Sequence, residues 1–446
     1  MTFEELNLHK PLLNALEDLG YTTPTPIQEK VFSVVMSGKD VCGLAQTGTG
    51  KTFAYLLPLL RLYQFSKDRL PQLLILVPTR ELVVQVVEAV EQLSKYQTLA
   101  VLGVYGGVNL KTHVAELKKE VDVLVATPGR LIDLISTGTL KTKTIKRLVI
   151  DEVDEMMNLG FRSQLTTILD SLPAKRQNLL FSATMTEEVD TLIQTHFTSP
   201  VFVESSPVGT PLDNIEQSAY PVPNFLTKVN LLEYLLQHDE NLRKVLVFIA
   251  TKTLADRLFE QLDEQFPEQV GVIHSNKAQN YRFNTVQAFK DGQLRILIAT
   301  DLIARGLDIS EVSHVINLDV PEIPETYIHR IGRTGRADQK GVALTFVNPA
   351  ETEYRQAIEN LMGVPIPERP LPEDLVITQD LIPEEIPKVV HKIIPVKLPP
   401  QETVGPAFHE KSAKNQKVNV RRNHAEEMMK KYGKPIKKTR KNNKPR

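Results

Sequence analysis

Two short stretches of this chain bring together residue types that can do phosphate chemistry. The first is GLAQTGTGKT, residues 43–52. Gly48 and Gly50 let the backbone wrap so that successive N–H groups converge on an anion. The helix that follows, opening FAYLLPLL, adds the partial positive charge of its N-terminus. Lys51 would meet the terminal phosphates, and the Thr52 hydroxyl would ligate Mg²⁺. Ala45, Gln46, Thr47, Gly48, Thr49 and Gly50 form the candidate cradle. Ala45 stands where the general pattern has Gly, a place it tolerates if its φ is negative. The second stretch is RLVIDEVDEMM, residues 147–157. It sets Asp151, Glu152 and Asp154 within four positions, directly after an apolar run. Clustered carboxylates repel one another, and a cation relieves that repulsion. At the C-terminal end of a parallel strand Asp151 points into the crevice where such sheets bind ligands. There it can hold Mg²⁺ through water while Glu152 positions and deprotonates an attacking water.

Both stretches need a sheet to hold them. Short apolar, β-branched runs alternate with amphipathic segments of helix length: 41–44, 73–77, 101–105, 121–126, 148–150 and 179–181. The pattern restarts with 245–249, 270–273, 296–299, 315–318 and 344–347. Near-continuous apolar strands spaced by helices predict parallel sheets covered on both faces. The fold class is therefore α/β, with two tandem lobes. The expected division is 1–29 as an N-terminal motif region, 30–203 as lobe 1, 204–216 as a linker and 217–362 as lobe 2. Residues 363–410 hold ten prolines, which sustain neither a long helix nor a central strand. Short apolar pieces there, such as Leu381-Ile382, are expected to dock on lobe 2, yet truncation after Met362 is expected to spare the catalytic body. Residues 411–446 form a basic tail with too few apolar residues to order itself.

Composition narrows the setting. Of 446 residues, 41% are apolar and 24% charged, the balance of a globular protein with substantial cores. No apolar run nears the ~20 residues needed to span a bilayer, and the first residues lack the pattern of a signal peptide. A single cysteine, Cys42, excludes an internal disulfide and fits a reducing, cytoplasmic setting. The net charge of −1 conceals an asymmetry. The tail carries 14 Lys or Arg against two Glu, which leaves the rest of the chain at −13. A basic tail on an acidic body points to a polyanionic partner.

The order of motifs resembles that of the DEAD-box RNA helicases, with DEVD in place of DEAD, and the likeness covers nearly all of residues 1–362. GYTTPTPIQ (20–28) is similar to the family's Q motif, which implies that Gln28 reads the adenine edge and Tyr21 stacks on its face. PTREL (78–82), GG (106–107) and TPGR (127–130) resemble the RNA-backbone contacts of the first lobe, implicating Pro78, Thr79, Arg80, Gly107, Thr127, Pro128 and Arg130. In the second lobe the resemblance places Thr251, Arg282 and Thr300 along RNA and Asp308 on the ribose. HRIGRTGR (329–336) supplies Arg333 and Arg336, two guanidinium groups three positions apart, suited to the γ-phosphate. SAT (182–184) resembles the element that couples nucleotide state to lobe closure. Ser182, Thr184, Asp154, His329 and Arg330 would thus link the lobes, with His329 and Arg330 bridging to the first-lobe carboxylates, Asp154 among them.

The resemblance implies two RecA-like lobes, ATP and Mg²⁺ as cofactors, and a catalytic set of Lys51, Asp151, Glu152, Arg333 and Arg336. It implies an RNA-stimulated ATPase that separates RNA duplexes locally, gripping backbone with little sequence preference. It further implies a cytoplasmic monomer working with ribosome-assembly or RNA-turnover factors, of the bacterial RhlE-like type. The alternative is an ATP-gated RNA clamp or chaperone that barely unwinds. A duplex-DNA translocase of the same superfamily fits Gln28 and the HRIGRTGR form poorly.

Overall fold

Alternation along each apolar run decides which helix layer each side chain meets. The computed structural model describes residues 2–45, 49–68, 70–204, 214–301, 309, 312–335, 340–386, 427, 429–431 and 433. In the first lobe the strands are β1 (Val41–Leu44), β2 (Leu73–Leu76), β3 (Val101–Val104), β4 (Val123–Ala126), β5 (Arg147–Ile150), β6 (Gln177–Ser182) and β7 (Val201–Glu204). They form one sheet in the order β3-β4-β2-β5-β6-β1-β7, every neighbouring pair parallel. Leu73, Ile75, Val123 and Val125 pack into one core cluster. Their alternates Leu74, Leu76, Leu124 and Ala126 pack into another. Side chains two apart share a face, so helices cover both faces as expected. The sheet order sets β1 and β5 on either side of β6. The ends of the phosphate loop and of the acidic strand are therefore one strand apart.

The second lobe repeats the plan with β8 (Ile215–Pro221), β9 (Val245–Phe248), β10 (Val270–Ile273), β11 (Ile296–Ala299), β12 (His314–Asn317) and β13 (Gly341–Val347). Their order is β10-β11-β9-β12-β13-β8, again all parallel. Val245 and Val247 face one cluster, Leu246 and Phe248 the other.

Three boundaries differ from expectation. Phe3, Leu6, Leu8, Leu12 and Leu16 join the first core cluster, so residues 1–29 belong to lobe 1. Strand β8 begins at Ile215, inside the stretch expected as linker; residues 205–213 of that stretch lie outside the described residues. The sequence IEQSAYP lacks a continuous apolar run, with Glu216 and Pro221 exposed. Finally, the compact body extends to Ile386. Pro367 O accepts from Ala219 N and Arg369 N donates to Ala219 O, both at 2.8 Å, which covers the open edge of β8. Leu375 and Ile382 sit in the second-lobe core, while Leu381 stays exposed. Asn224 Nδ2 donates to Thr378 O at 2.6 Å, and Glu385 accepts from Phe225 N at 2.6 Å. The basic tail lies almost wholly outside the described residues.

Candidate active site and RNA channel

The phosphate loop leaves β1 at Leu44. Ala45 is buried, its N–H bonds Ser182 O at 3.0 Å, and its φ is not positive, so the missing glycine costs nothing here. Gln46, Thr47 and Gly48 lie outside the described residues. Gly50, at φ 86°, takes the left-handed turn that starts the helix Lys51–Arg61. The N-terminal motif braces this loop. Gln28 Nε2 donates to Gly50 O at 3.2 Å, and Thr25 Oγ1 donates to Thr49 O at 2.9 Å. Gln28 Oε1 also accepts from Thr25 N at 3.0 Å, closing a capping box. One N–H and one lone pair of that amide are left for a base edge. Tyr21 is half exposed and meets Phe53 edge-on, with ring centroids 5.3 Å apart.

Lys51 is the decisive side chain. It is 7% exposed, and its ammonium has no hydrogen-bond partner. A buried, unpaired cation is costly, and its position at a helix N-terminus behind a left-handed glycine fits a phosphate oxygen. The Asp151 and Glu152 carboxylates face the same space. Burial raises both above the ordinary carboxylate range, and Lys51 opposes that rise. Glu152 is pushed up to about 8, with Asp151 and Asp154 adding to the effect. Glu152 also adopts φ 53°, ψ 50°, between β5 and the helix Val153–Asn158. A non-glycine residue there costs ~1–2 kcal/mol and persists only where the surroundings dictate it. Behind the pair, the fully buried Tyr55 hydroxyl lies against Asp151 and Thr52. Among the described residues no group of three His, Cys, Asp or Glu could hold a metal alone. Magnesium, which needs few protein ligands beside substrate phosphate, would rest on Thr52 and Asp151.

The second lobe reaches this site through Arg333. It is 5% exposed, and its charge acts on the Glu152 carboxylate. Arg336 and Asp308 lie outside the described residues.

The expected bridge from Arg330 to Asp154 is not present. Asp154 Oδ2 accepts from Ala183 N, Thr184 N and Thr184 Oγ1 at 3.0–3.1 Å, and its Oδ1 accepts from Glu155 N. It therefore couples DEVD to SAT inside lobe 1, where Ser182 Oγ donates to Thr184 O at 2.6 Å. Arg330 is buried and serves its own lobe, pairing both oxygens of Asp301 at 2.6 and 2.7 Å and donating to Asp319 O at 2.6 Å. A buried guanidinium takes the carboxylate that geometry places nearest, and that is Asp301. His329 is half-buried on the same helix, Pro324–Ile331.

A second cavity, of about 860 Å³, lies between the lobes. Pro78, Thr79, Arg80, Gly107, Thr127 and Arg130 line it from the first lobe, as expected for one channel; Pro128 does not. Gly107 takes φ 85°, a conformation that strains any side chain, and the Arg80 guanidinium lies over it. From the second lobe Arg282 lines it, but its charge is already engaged. Nη1 pairs with Glu81 at 2.9 Å, and Gln279, itself bonded to Arg282, donates to Glu81 at 3.0 Å. Thr251 and Thr300 follow β9 and β11 and do not line the cavity. Thr251 caps the helix Lys252–Gln265 by accepting from Leu254 N at 3.2 Å.

Residues 25–192 match the DEAD/DEAH box helicase family, and residues 227–338 match the helicase conserved C-terminal domain. The DEAD-box ATP-dependent RNA helicase CshA of Geobacillus kaustophilus is 41% identical over 358 residues, 80% of this chain and 76% of that protein. This chain belongs to the DEAD-box family. The CshA of Bacillus anthracis is 39% identical, over 80% of this chain and 67% of its own length. Such relatives do not bear out the RhlE-like assignment. Among solved structures, the DEAD-box chain resembles S. cerevisiae Dbp5 bound to RNA and ADP BeF3, with a TM-score of 0.75 at 30% identity, covering 83% of this chain and 95% of that one. It also resembles a DEAD box protein from Methanococcus jannaschii, with a TM-score of 0.51 at 36% identity, covering 83% and 99%. The two lobes are RecA-like.

Sequence reasoning missed Glu81, Gln279 and Tyr55. Glu81 sits inside PTREL and Gln279 opens QNYR, but only the approach of two lobes turns them into a bond.

Proposed function

We propose that this DEAD-box protein is an RNA-stimulated ATPase that separates short RNA duplexes. The observation that carries the reading is the buried, unpaired Lys51 ammonium facing Asp151 and Glu152, with Arg333 of the other lobe acting on the same carboxylate. Lys51, Gly50 and Thr52 bind the phosphates, while Gln28 and Tyr21 take the base. Glu152 orients the attacking water and, in the charged form that Lys51 and Arg333 favour, accepts its proton. Magnesium, when bound, neutralises phosphate charge. Arg333 and Arg336 stabilise charge in the transition state, a contribution worth ~10³–10⁵ in rate for arginine fingers.

RNA is gripped in the 860 Å³ cavity by Arg80, Gly107, Thr127 and Arg130. Thr251 and Thr300 extend the track. Support comes from the resemblance to Dbp5 bound to RNA and ADP BeF3, at a TM-score of 0.75. Among the described residues no helix is long and apolar enough to cross a membrane. A cytoplasmic monomer acting in ribosome assembly or RNA turnover fits the reading.

The deciding experiment is unwinding of a short RNA duplex with ATP or a non-hydrolysable analogue. Turnover-dependent release of the strand supports the helicase. Tight RNA binding with no release under either nucleotide would favour the clamp. Glu152→Gln should abolish turnover and leave RNA binding in place; persistent turnover would remove Glu152 as the base.

A further inference from the structure

Arg130 reaches the channel wall with its guanidinium already shaped by two neighbours. It is 9% exposed, on the helix Pro128–Ser136. Nη2 donates to Val108 O at 2.7 Å, one residue beyond Gly107. Nη1 lies 3.1 Å from His113 Nδ1 in a buried contact. A guanidinium can only donate. His113 Nδ1 must therefore carry a lone pair, and the neutral ring holds its proton on Nε2.

We infer that His113 is a positioning residue for RNA binding, holding Arg130 only while its imidazole is neutral, so that RNA affinity falls as acid protonates it. This rests on the assignment of the 860 Å³ cavity as the RNA channel. His113 is 3% exposed, on the helix Leu110–Leu117. The groups around it come from three elements. Arg130 lies opposite, with Asp133 of its helix 3.5 Å from Arg130 Nε. Tyr105, after β3, meets the ring edge-on at 5.8 Å. Glu116 is on His113's own helix. Burial and Arg130 hold the imidazole below its usual range, and Glu116 opposes them. The neutral acceptor is thus the resting form at pH 7. A proton on Nδ1 would remove the acceptor and set two cations face to face. Arg130 would lose the partner that aims it from the side opposite Val108.

The test measures affinity for a labelled single-stranded RNA, with AMP-PNP and Mg²⁺, at constant ionic strength from pH 8.0 to 5.5. The full chain, His113→Gln and Arg130→Ala are compared, with folding followed by circular dichroism. An amide oxygen can accept from Arg130 but does not titrate. We expect the unmodified chain to lose about tenfold more affinity over this range than His113→Gln, as suits one charge-assisted hydrogen bond. Equal pH profiles would overturn the role of His113 while leaving the channel assignment intact. Arg130→Ala should weaken binding at pH 8.0; undiminished affinity there would overturn the channel assignment and the inference with it. In an NMR spectrum of labelled imidazoles at pH 7.5, His113 should carry its proton on Nε2. A proton on Nδ1 would overturn the inference whatever the variants do.

Discussion

Among the described residues each lobe buries one lysine, and the two are treated in opposite ways. Lys228, on the helix Phe225–His238, is 1% exposed. Its ammonium bonds Asp319 Oδ1 at 3.1 Å and both oxygens of Glu351 at 2.9 and 2.7 Å. Those carboxylates are in turn held by the N–H groups of Ala250, Val320 and Asn348. Every group has a partner, so this cluster ties helix to sheet. Lys51 is nearly as buried and has none. The difference teaches where to look for function: Lys228 is fully hydrogen-bonded within the protein, while Lys51 feels the Asp151 and Glu152 charges but makes no hydrogen bond, which leaves its ammonium for an anion from outside.

Removing each amine should separate the two roles most sharply. Lys51→Ala should eliminate ATP turnover and leave the denaturation midpoint unchanged or raised; hydrolysis that survives would overturn the phosphate-site assignment. Lys228→Met should instead destabilise by about 3–5 kcal/mol in denaturant titrations, because two buried carboxylates lose their cation. A loss below ~1 kcal/mol would mean the trio is not a structural anchor.

The C-terminal extension sharpens the same contrast between structure and chemistry. Truncation after Met362 strips Leu375 and Ile382 from the second-lobe core and uncovers β8. It should cost about 3–5 kcal/mol from the two apolar side chains. Truncation after Ile386 should leave stability intact and reduce RNA affinity at moderate salt, where the basic tail contributes. Equal stability of the two truncated proteins would mean that the docked segment is dispensable.

Glu152 gives the pH dependence. Its folded pKa is about 8 against an ordinary 4.5. Between those values the folded chain keeps a proton that the unfolded chain has lost, so stability falls as pH rises and is least above about 8. Without nucleotide or magnesium the unmodified chain should lose on the order of a few kcal/mol across that window relative to Glu152→Gln. Parallel stability curves would show that the carboxylate is not desolvated.

Val153→Ala should have the smallest effect. Val153 is fully buried among Ile150, Met156 and Leu180, so the loss is about 1–2 kcal/mol of stability with near-normal ATPase. A large fall in turnover would mean that the valine positions the carboxylates flanking it.

Much of this was readable in advance because it is local. The run VCGL, the glycine before Lys51 and the apolar strand before Asp151 each act through neighbouring residues. The edge strand β8 escaped notice because its exposed Glu216 and Pro221 and its polar Gln217 and Ser218 break the apolar run. The docked extension was half-legible: Ile382 is where an apolar piece was expected, but prolines hid how firmly the segment packs. Arg330 meets Asp301 of its own lobe rather than the expected Asp154, because a motif names a residue and not the carboxylate it will meet. Arg282 is expected along RNA and instead pairs across the lobes with Glu81, a residue with no expected role.

By itself the sequence determined the two α/β lobes, the order of their motifs and the phosphate chemistry, since periodicity and short spacing act within a few residues. Tertiary structure alone decided which buried charges are spent. Lys228 finds its carboxylates 91 and 123 residues away, and Asp154 meets Thr184 across 30. Pairing energy depends on distance in space and on desolvation, and neither is encoded in how far apart two residues stand along the chain.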